Sequence, residues 1–322
     1  MPAPAAPPIV LTGGSGFVGR AVVQALARRG SALRLAGRAA AAPVPLPPHV
    51  QTVAVAPLGP QADWSAALRG ASAVLHLAAR AHVLRDPAAD PLAAYRAVNT
   101  AGTLRLAEQA AAAGVRRFVF ASTVKVHGES TPADRPFTED MAPAPQDPYA
   151  LSKWEAEQGL AAIAARTGME VVVVRPPLVY GPGVRANFAA LVRAVARGWP
   201  LPLGAIDNRR SLVGLDNLVD LLLLCLEHPA AAQQTFLASD GEDLSTPALL
   251  RRLAAAMGRP ARLLPVPPAL LRAGAGLLGR GAAVERLCGS LRVDIAKARR
   301  VLGWAPPLGV DEGLRRTVQG LR

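Results

Sequence analysis

Thr12-Gly13-Gly14-Ser15-Gly16-Phe17-Val18-Gly19 follows the apolar run Ile9-Val10-Leu11 and precedes a helical pattern from Arg20 to Arg29. Strand, glycine turn and helix in that order predict a dinucleotide-binding βα unit. Gly13 can close the tight turn. Gly16 has no Cβ, so the main chain can approach a pyrophosphate, and Gly19 lets the helix pack close to the strand. The helix N-terminus then faces the phosphates with unpaired N–H groups and a partial positive charge. The G-x-x-G-x-x-G spacing is one residue longer than the commonest fingerprint, so a plain glycine loop is the alternative at this point.

Tyr149-Ala150-Leu151-Ser152-Lys153 is the second signal. With only three Tyr and three Lys in the chain, chance supplies such a Tyr-x-x-x-Lys pair only ~0.03 times. Residues 148–166 read as a helix, which puts the pair one turn apart on one face. A free Tyr, with a pKa of about 10, holds its proton too tightly to trade it near neutrality. The neighbouring Lys ammonium is expected to favour the phenolate and lower that pKa. An exposed i,i+4 contact without chemistry is the plain alternative.

Phe118-Val119-Phe120-Ala121 runs as an apolar strand into Ser122 and Thr123, about 26 positions before Tyr149. Ligands of a parallel sheet bind beyond the carboxyl ends of its strands, so both hydroxyls fall on the ligand edge. A hydroxyl there can hydrogen-bond a substrate oxygen that gains negative charge. Capping of a strand end is the alternative, more readily for Ser122 than for Thr123.

Strand-like runs near 9–12, 32–36, 50–55, 73–77, 116–121 and 171–175 alternate with Ala/Leu-rich helical stretches. This predicts an α/β fold, a doubly wound parallel sheet with helices on both faces. Pro43 to Pro48 reads as a loop, and Ser130 to Pro148 as a long ordered loop leading to the Tyr helix. After Gly181 the alternation weakens. Asp216 to His228 reads as a buried helix, Thr235 to Ala238 as a strand returning to the sheet, and 241–322 as mostly helical.

With 322 residues, 51% of them apolar, the chain can bury a sizeable core. Cys225 and Cys288 lie in apolar surroundings, and no Cys pair has metal-ligand spacing, which predicts reduced thiols, no metal and a cytoplasmic location. The Pro/Ala-rich first eight residues read as a frayed leader, not a signal peptide. No uncharged run is long enough to span a bilayer. The formal charge of +13 suits an anionic partner such as a nucleotide. At 4% aromatic residues, with no basic–aromatic cluster, nucleic acid is a weak reading.

These residues resemble the extended short-chain dehydrogenase/reductases, the NAD-dependent epimerase/dehydratase family. The matches are T-G-G-S-G-F-V-G at 12–19, Leu75-His76-Leu77-Ala78-Ala79, Val98-Asn99-Thr100, F-A-S-T-V-K-V-H-G at 120–128, Tyr149 with Lys153, Arg175-Pro176-Pro177 with Val179-Tyr180-Gly181-Pro182-Gly183, and Leu302-Gly303-Trp304-Ala305-Pro306. The resemblance implies a catalytic triad of Thr123, Tyr149 and Lys153. It implies cofactor contacts from Gly13, Ser15, Gly16, Phe17, Val18, Gly19, Leu58, Ala78, Ala79, Asn99, Ser122, Pro176 and Val179, with Tyr149 and Lys153 joining them. Thr123, Lys125, Asn187 and Arg209 are the implied substrate contacts, Arg210 being an alternative to Arg209. A Rossmann domain at 1–180 and 211–240 and a smaller substrate lobe at 181–210 and 241–322 are likewise implied, as is a homodimer through the Tyr helix and the 91–113 helix.

The second strand ends at Leu35-Ala36-Gly37-Arg38. An NAD-preferring fold usually carries Asp or Glu there for the ribose hydroxyls. Arg38 can instead pair with a 2′-phosphate, which predicts NADP(H) over NAD(H), with a solvated arginine as the alternative. Pro57 stands where the family often has an Asp near adenine, so Leu58 offers only its backbone N–H. Val124 and Lys125 follow Thr123 where a family 4,6-dehydratase carries Asp-Glu, and neither supplies the acid and base of elimination. The wider text most resembles bacterial nucleotide-sugar 4-ketoreductases making UDP-N-acetylquinovosamine-type sugars for surface polysaccharides such as O-antigen. That resemblance implies reduction of a UDP-4-keto sugar, with Tyr149 as proton donor. Two alternatives stand beside it, a UDP-glucose or UDP-N-acetylglucosamine 4-epimerase with retained NAD and a non-catalytic NADP-binding regulator.

Overall fold

A computed structural model describes residues 6–38, 47, 49–81, 88–132, 134–277 and 281–320. Most of the loop expected at 43–48 and the first five residues lie outside them. In chain order the elements are β1 (Ile9–Thr12), α1 (Phe17–Arg28), β2 (Leu33–Gly37), β3 (Val50–Ala54), α2 (Ser65–Leu68), β4 (Ala73–His76), α3 (Pro91–Tyr95), α4 (Gly102–Ala112), β5 (Arg117–Ala121) and α5 (Pro148–Thr167). They continue with β6 (Glu170–Arg175), β7 (Leu178–Tyr180), α6 (Ala186–Ala196), β8 (Arg210–Gly214), α7 (Leu215–Glu227), β9 (Gln234–Leu237), β10 (Asp243–Leu244), α8 (Thr246–Ala256), α9 (Pro268–Leu277), α10 (Gly281–Cys288), α11 (Ala296–Leu302) and α12 (Val310–Gln319).

Seven strands form one sheet in the order β3-β2-β1-β4-β5-β6-β9. Every pairing in it is parallel. The period of two sends neighbouring residues to opposite faces. Leu11, Leu75 and Val119 join α1 and α7 in one core, while Val10, Val74 and Phe118 join α4 and α5 in another. Both faces are thus covered, as a parallel sheet requires. The winding direction reverses between β1 and β4, which opens a crevice at the carboxyl ends of these two strands.

Two local features were not legible in the sequence. The 91–113 helix starts with Asp90 as N-cap and Pro91 in its first turn, but it widens into a π turn at Arg96–Ala101 before α4. A second, three-stranded sheet, β10-β8-β7, sits beyond the large one. The helix α1 also starts at Phe17, inside the glycine motif, because Gly16 is its N-cap. The loop before α5 holds neither helix nor strand over its described residues apart from an isolated bridge, and it is pinned to the tail by Phe137 N–H to the Arg292 carbonyl and Asp294 N–H to the Phe137 carbonyl, both 2.9 Å.

Candidate active site

The glycine turn is shaped for a diphosphate. Gly13 has φ +75°, and a Cβ on it would stand 2.7 Å from the Ala78 nitrogen. A Cβ on Gly19 would stand 2.0 Å from the Gly13 carbonyl oxygen. Both positions therefore need glycine for close approach of the turn to β4 and to α1. No side chain caps the α1 N-terminus and no acid lies in its first turn. Its N–H groups and dipole are thereby left for an anion, so the residues present fit the pyrophosphate of a dinucleotide. Ser15 is exposed there, while Phe17 and Val18 are half-buried at the start of α1.

β1 and β4 are tied at this crevice by a fully buried imidazole. The Thr12 hydroxyl meets His76 Nδ1 at 2.6 Å, and His76 Nε2 meets the Thr103 hydroxyl at 2.9 Å. Ala78 N–H donates to Thr12 Oγ1 at 3.3 Å. Burial, then the charge of Lys153, pulls His76 down to about 3. Ala79 is exposed just beyond. Asn99, in the π turn, is fully buried. Its Oδ1 accepts from Arg80 N–H at 2.8 Å, and its amide donates to the Arg80 carbonyl and to the Ser152 hydroxyl at 3.1 and 3.0 Å. Asn99 thus fastens the loop after β4 to α5.

The two candidate catalytic hydroxyls stand on two elements. Thr123 ends the β5 segment, 8% exposed, and its Oγ1 accepts from Lys125 N–H at 3.3 Å. Val124 N–H donates to the Pro176 carbonyl at 3.0 Å, which joins this turn to the end of β6. Val179 is half-buried on β7. Tyr149 opens α5, half-buried, with the Tyr95 ring edge-on at 6.1 Å. Lys153 follows one turn later, 1% exposed, its Nζ 4.0 Å from the Phe120 ring centroid. Burial pulls Lys153 down to about 7, against the opposing charge of Glu157. Burial, then Asp147 and Tyr95, pushes the Tyr149 phenol above its ordinary range. This corrects the expectation that Lys153 lowers Tyr149: burial and the Asp147 carboxylate disfavour the phenolate, and the Lys153 ammonium is itself destabilised by burial.

The Ser122 side chain points elsewhere than the ligand edge. Its hydroxyl donates to Glu157, which also receives Arg175 Nε at 3.1 Å. Arg175 Nη1 meets His127 Nε2 at 2.8 Å. Burial, then Arg175, pulls His127 down to about 4. Lys125 reaches Glu129 Oε1 at 2.6 Å and Asp147 Oδ2 at 2.7 Å. Burial opposes its charge, but those two bonds hold the ammonium above its ordinary range. Asp147 also caps α5 through Ala150 N–H at 2.6 Å. One carboxylate therefore links the Thr123 turn to the helix that bears Tyr149. The sequence reading passed over Glu157, Asp147, Arg175 and His127. Glu157 carried a signal, since 149, 153 and 157 fall on one helical stripe.

Arg38 is exposed at the tip of β2. No Asp or Glu precedes Asp63 in the whole chain, so the first two βα turns offer no carboxylate for a ribose. Leu58 lies after β3, and its Cγ would meet a Cβ on Gly102 at 2.9 Å. Arg210 Nη1 donates to the Arg286 and Gly289 carbonyls at 2.8 and 3.0 Å, at the end of α10. Arg209 keeps an exposed side chain. Of the two, the geometry leaves Arg209 for an outside anion. Asn187 falls in the first turn of α6, with its side chain outside the described residues. Among the described residues no cluster could hold a metal.

The seven-stranded parallel sheet and the glycine turn at its carboxyl edge are those of the extended short-chain dehydrogenase/reductase class. The chain belongs to the NAD dependent epimerase/dehydratase family, whose model matches residues 9–238. It is 45% identical over 317 residues to a UDP-glucose 4-epimerase of Vibrio cholerae, covering 97% of this chain and 94% of that one. Among solved structures it resembles MoeE5 in complex with UDP-glucose and NAD, at 27% identity, 98% of each chain and a TM-score of 0.74. It also resembles the UDP-glucose 4-epimerase of Thermotoga maritima with UDP-glucose, at 25% identity, 98% of each chain and a TM-score of 0.75.

Proposed function

We propose that the chain reduces the 4-keto group of a UDP-4-keto-6-deoxy-N-acetylhexosamine in surface-polysaccharide synthesis, with NADP(H) preferred over NAD(H). The tip of β2 carries the reading: Gly37 and exposed Arg38, in a chain whose first carboxylate is Asp63. Arg38 can pair bidentately with a 2′-phosphate that a carboxylate would repel. When bound, the reduced nicotinamide supplies the hydride for C4. Tyr149 gives its proton to the C4 oxygen as that oxygen gains charge: burial holds the proton on the phenol until then, and the forming alkoxide is basic enough to take it. Thr123 Oγ1 accepts from Lys125 N–H, which leaves its own proton to donate to the same oxygen. Lys153 holds the nicotinamide ribose. Lys125 and Arg209 face the UDP-sugar, and Asn187, in the first turn of α6, is the third residue assigned to it.

In this reading residues 1–180 and 211–240 hold the cofactor, 181–210 and 241–322 hold the sugar nucleotide, and two copies pair through α5 and the 91–113 segment. Free Cys225 and Cys288 suit a cytoplasmic, reducing setting. No described helix is long and apolar enough to cross a membrane. A second reading, a 4-epimerase that retains NAD, is favoured by the Vibrio cholerae relative of that name across nearly the whole chain.

Mass spectrometry of cofactor released from denatured, freshly purified protein separates the two, with NADPH titrated into the native protein. No retained NAD and tighter binding of NADPH than NADH is the expected result. Stoichiometric retained NAD would overturn the reductase in favour of the epimerase.

A further inference from the structure

We propose that the face of the lobe carrying Trp199, Leu264 and Leu270 docks on an anionic lipid surface. Four large apolar side chains are strongly exposed among the described residues, and these are three of them, at 53%, 49% and 64%. The main chain brings Trp199 and Leu264 to one place. Leu201 N–H donates to the Arg262 carbonyl and Leu264 N–H to the Leu201 carbonyl, both at 2.8 Å. α9 begins four residues after Leu264. Its Leu271 packs on the small core of Val195, Leu203, Ile206, Leu250 and Ala254, together with Leu201 and Leu263, and this leaves Leu270 turned outward.

Charge chooses the occupant. Residues 186–206 and 244–284 carry eight Arg and neither Asp nor Glu. Three of these arginines are tied to Trp199 or to the chain within three residues of it. The Arg197 guanidinium lies 5.0 Å from the Trp199 ring centroid. Arg259 donates to the Ala196 carbonyl at the end of α6, and Arg262 bonds through its carbonyl to Leu201. All three side chains are exposed. Of the acids that border these stretches, Glu285 pairs with Arg272 at 2.9 Å, Asp243 with Arg292 at 2.7 Å and Glu242 with Arg252, while Asp207 is exposed next to Ile206. An exposed apolar surface beside a clear excess of positive charge is the form that sinks into the headgroup layer of an anionic leaflet, with tryptophan at the interface. A protein partner would instead need matching acids as well as an apolar seat.

The test is sedimentation of the full chain with vesicles of phosphatidylcholine alone or mixed with phosphatidylglycerol. Each arginine near such a surface is worth about fivefold, so binding to the mixed vesicles should exceed that to neutral ones by about 100-fold at low salt and vanish in high salt. The variant carrying Trp199→Ser and Leu270→Ser should bind about tenfold or more weakly, while Leu178→Ser, exposed elsewhere, should not change. Trp64 and Trp304 are buried and Trp154 is half-buried on α5, so the quenching of tryptophan emission by brominated lipid that depends on Trp199 is the part that reads this face. The Trp199→Ser variant should lose that quenching. No preference for the anionic vesicles would overturn the proposal, as would binding without quenching. So would self-association that the double variant abolishes without any vesicle binding.

Discussion

The molecule uses arginine in opposite ways within the large sheet and around Trp199. Beneath the catalytic edge Arg175 is buried against Glu157 and His127. Arg117, also fully buried, meets Glu170 and the carbonyls of Cys225 and His228. Around Trp199 the arginines stand in solvent, in a stretch of chain without acids. A buried charge must be paired, and its partners then fix the elements that carry them. An exposed, unpaired charge fixes nothing inside the fold and is left for an outside partner. The contrast sorts the chain's 33 arginines more usefully than the net charge of +13 does.

The contrast breaks first at Glu157. Glu157→Gln leaves Arg175 buried beside a neutral amide, so stability should fall by about 3–5 kcal/mol. Arg262→Ala should change it by less than about 0.5 kcal/mol. Urea unfolding of both variants is the measurement. Equal, small losses would mean the buried pair fixes nothing.

Tyr149→Phe should leave NADPH binding nearly intact and cut turnover by about 100-fold or more, read from steady-state rates and a cofactor titration. Full activity would refute the proton-donor role.

Two buried imidazoles sharpen the comparison through pH. His76 and His127 are held at about 3 and about 4, below their ordinary 6.5. The unfolded chain therefore binds more protons than the folded one below pH 6.5, and stability falls as pH drops from 6.5 towards 4. Thermal melts across that range should show a declining Tm, and His127→Gln should flatten the upper part of the decline. A flat wild-type profile would contradict the buried, neutral state of both rings.

At the β2 tip the expected effect is smaller. Arg38→Ala should raise the KM for NADPH about tenfold more than that for NADH. Equal changes for the two cofactors would make Arg38 one more solvated arginine.

Legibility followed the same division. The central strands β1, β4, β5 and β6 were readable because they are buried on both faces, which leaves near-continuous apolar runs. β1 falls at Ile9–Thr12, as the run Ile9-Val10-Leu11 predicts. β8 was not readable: Arg210–Gly214 starts with an arginine and a serine whose partners, Gly289 and Asp243, come from the tail. Local periodicity carries no trace of contacts that distant. Tyr149 and Lys153 stood out as candidates because Tyr and Lys each occur only three times in this chain. The direction of Tyr149's titration was not readable, because it depends on burial and on Asp147, not on the spacing to Lys153. Ser122 looked like a ligand contact for the same reason, since nothing near it in sequence reveals Glu157 as its acceptor.

Lys125 lies on the border between the two uses of positive charge, and it separates positioning from recognition. Its side chain is 34% exposed, bound to Glu129 and Asp147, and it follows Thr123 by two residues. As an internal strut it acts through Asp147, which caps the Tyr149 helix. As a substrate contact it would meet the sugar nucleotide directly. Lys125→Met should cost about 1 kcal/mol or less of stability in either case, because the ion pairs are partly solvated. Asp147→Asn keeps an N-cap acceptor but loses the charge that attracts Lys125. If the strut is the whole role, both variants should lower kcat severalfold and leave KM alone. If Lys125 also recognises the substrate, only Lys125→Met should raise KM, and Asp147→Asn should leave KM unchanged. Recognition is the expected outcome, because a third of the side chain stays open to solvent and its backbone N–H donates to the hydroxyl of Thr123, the proposed partner of the reacting oxygen.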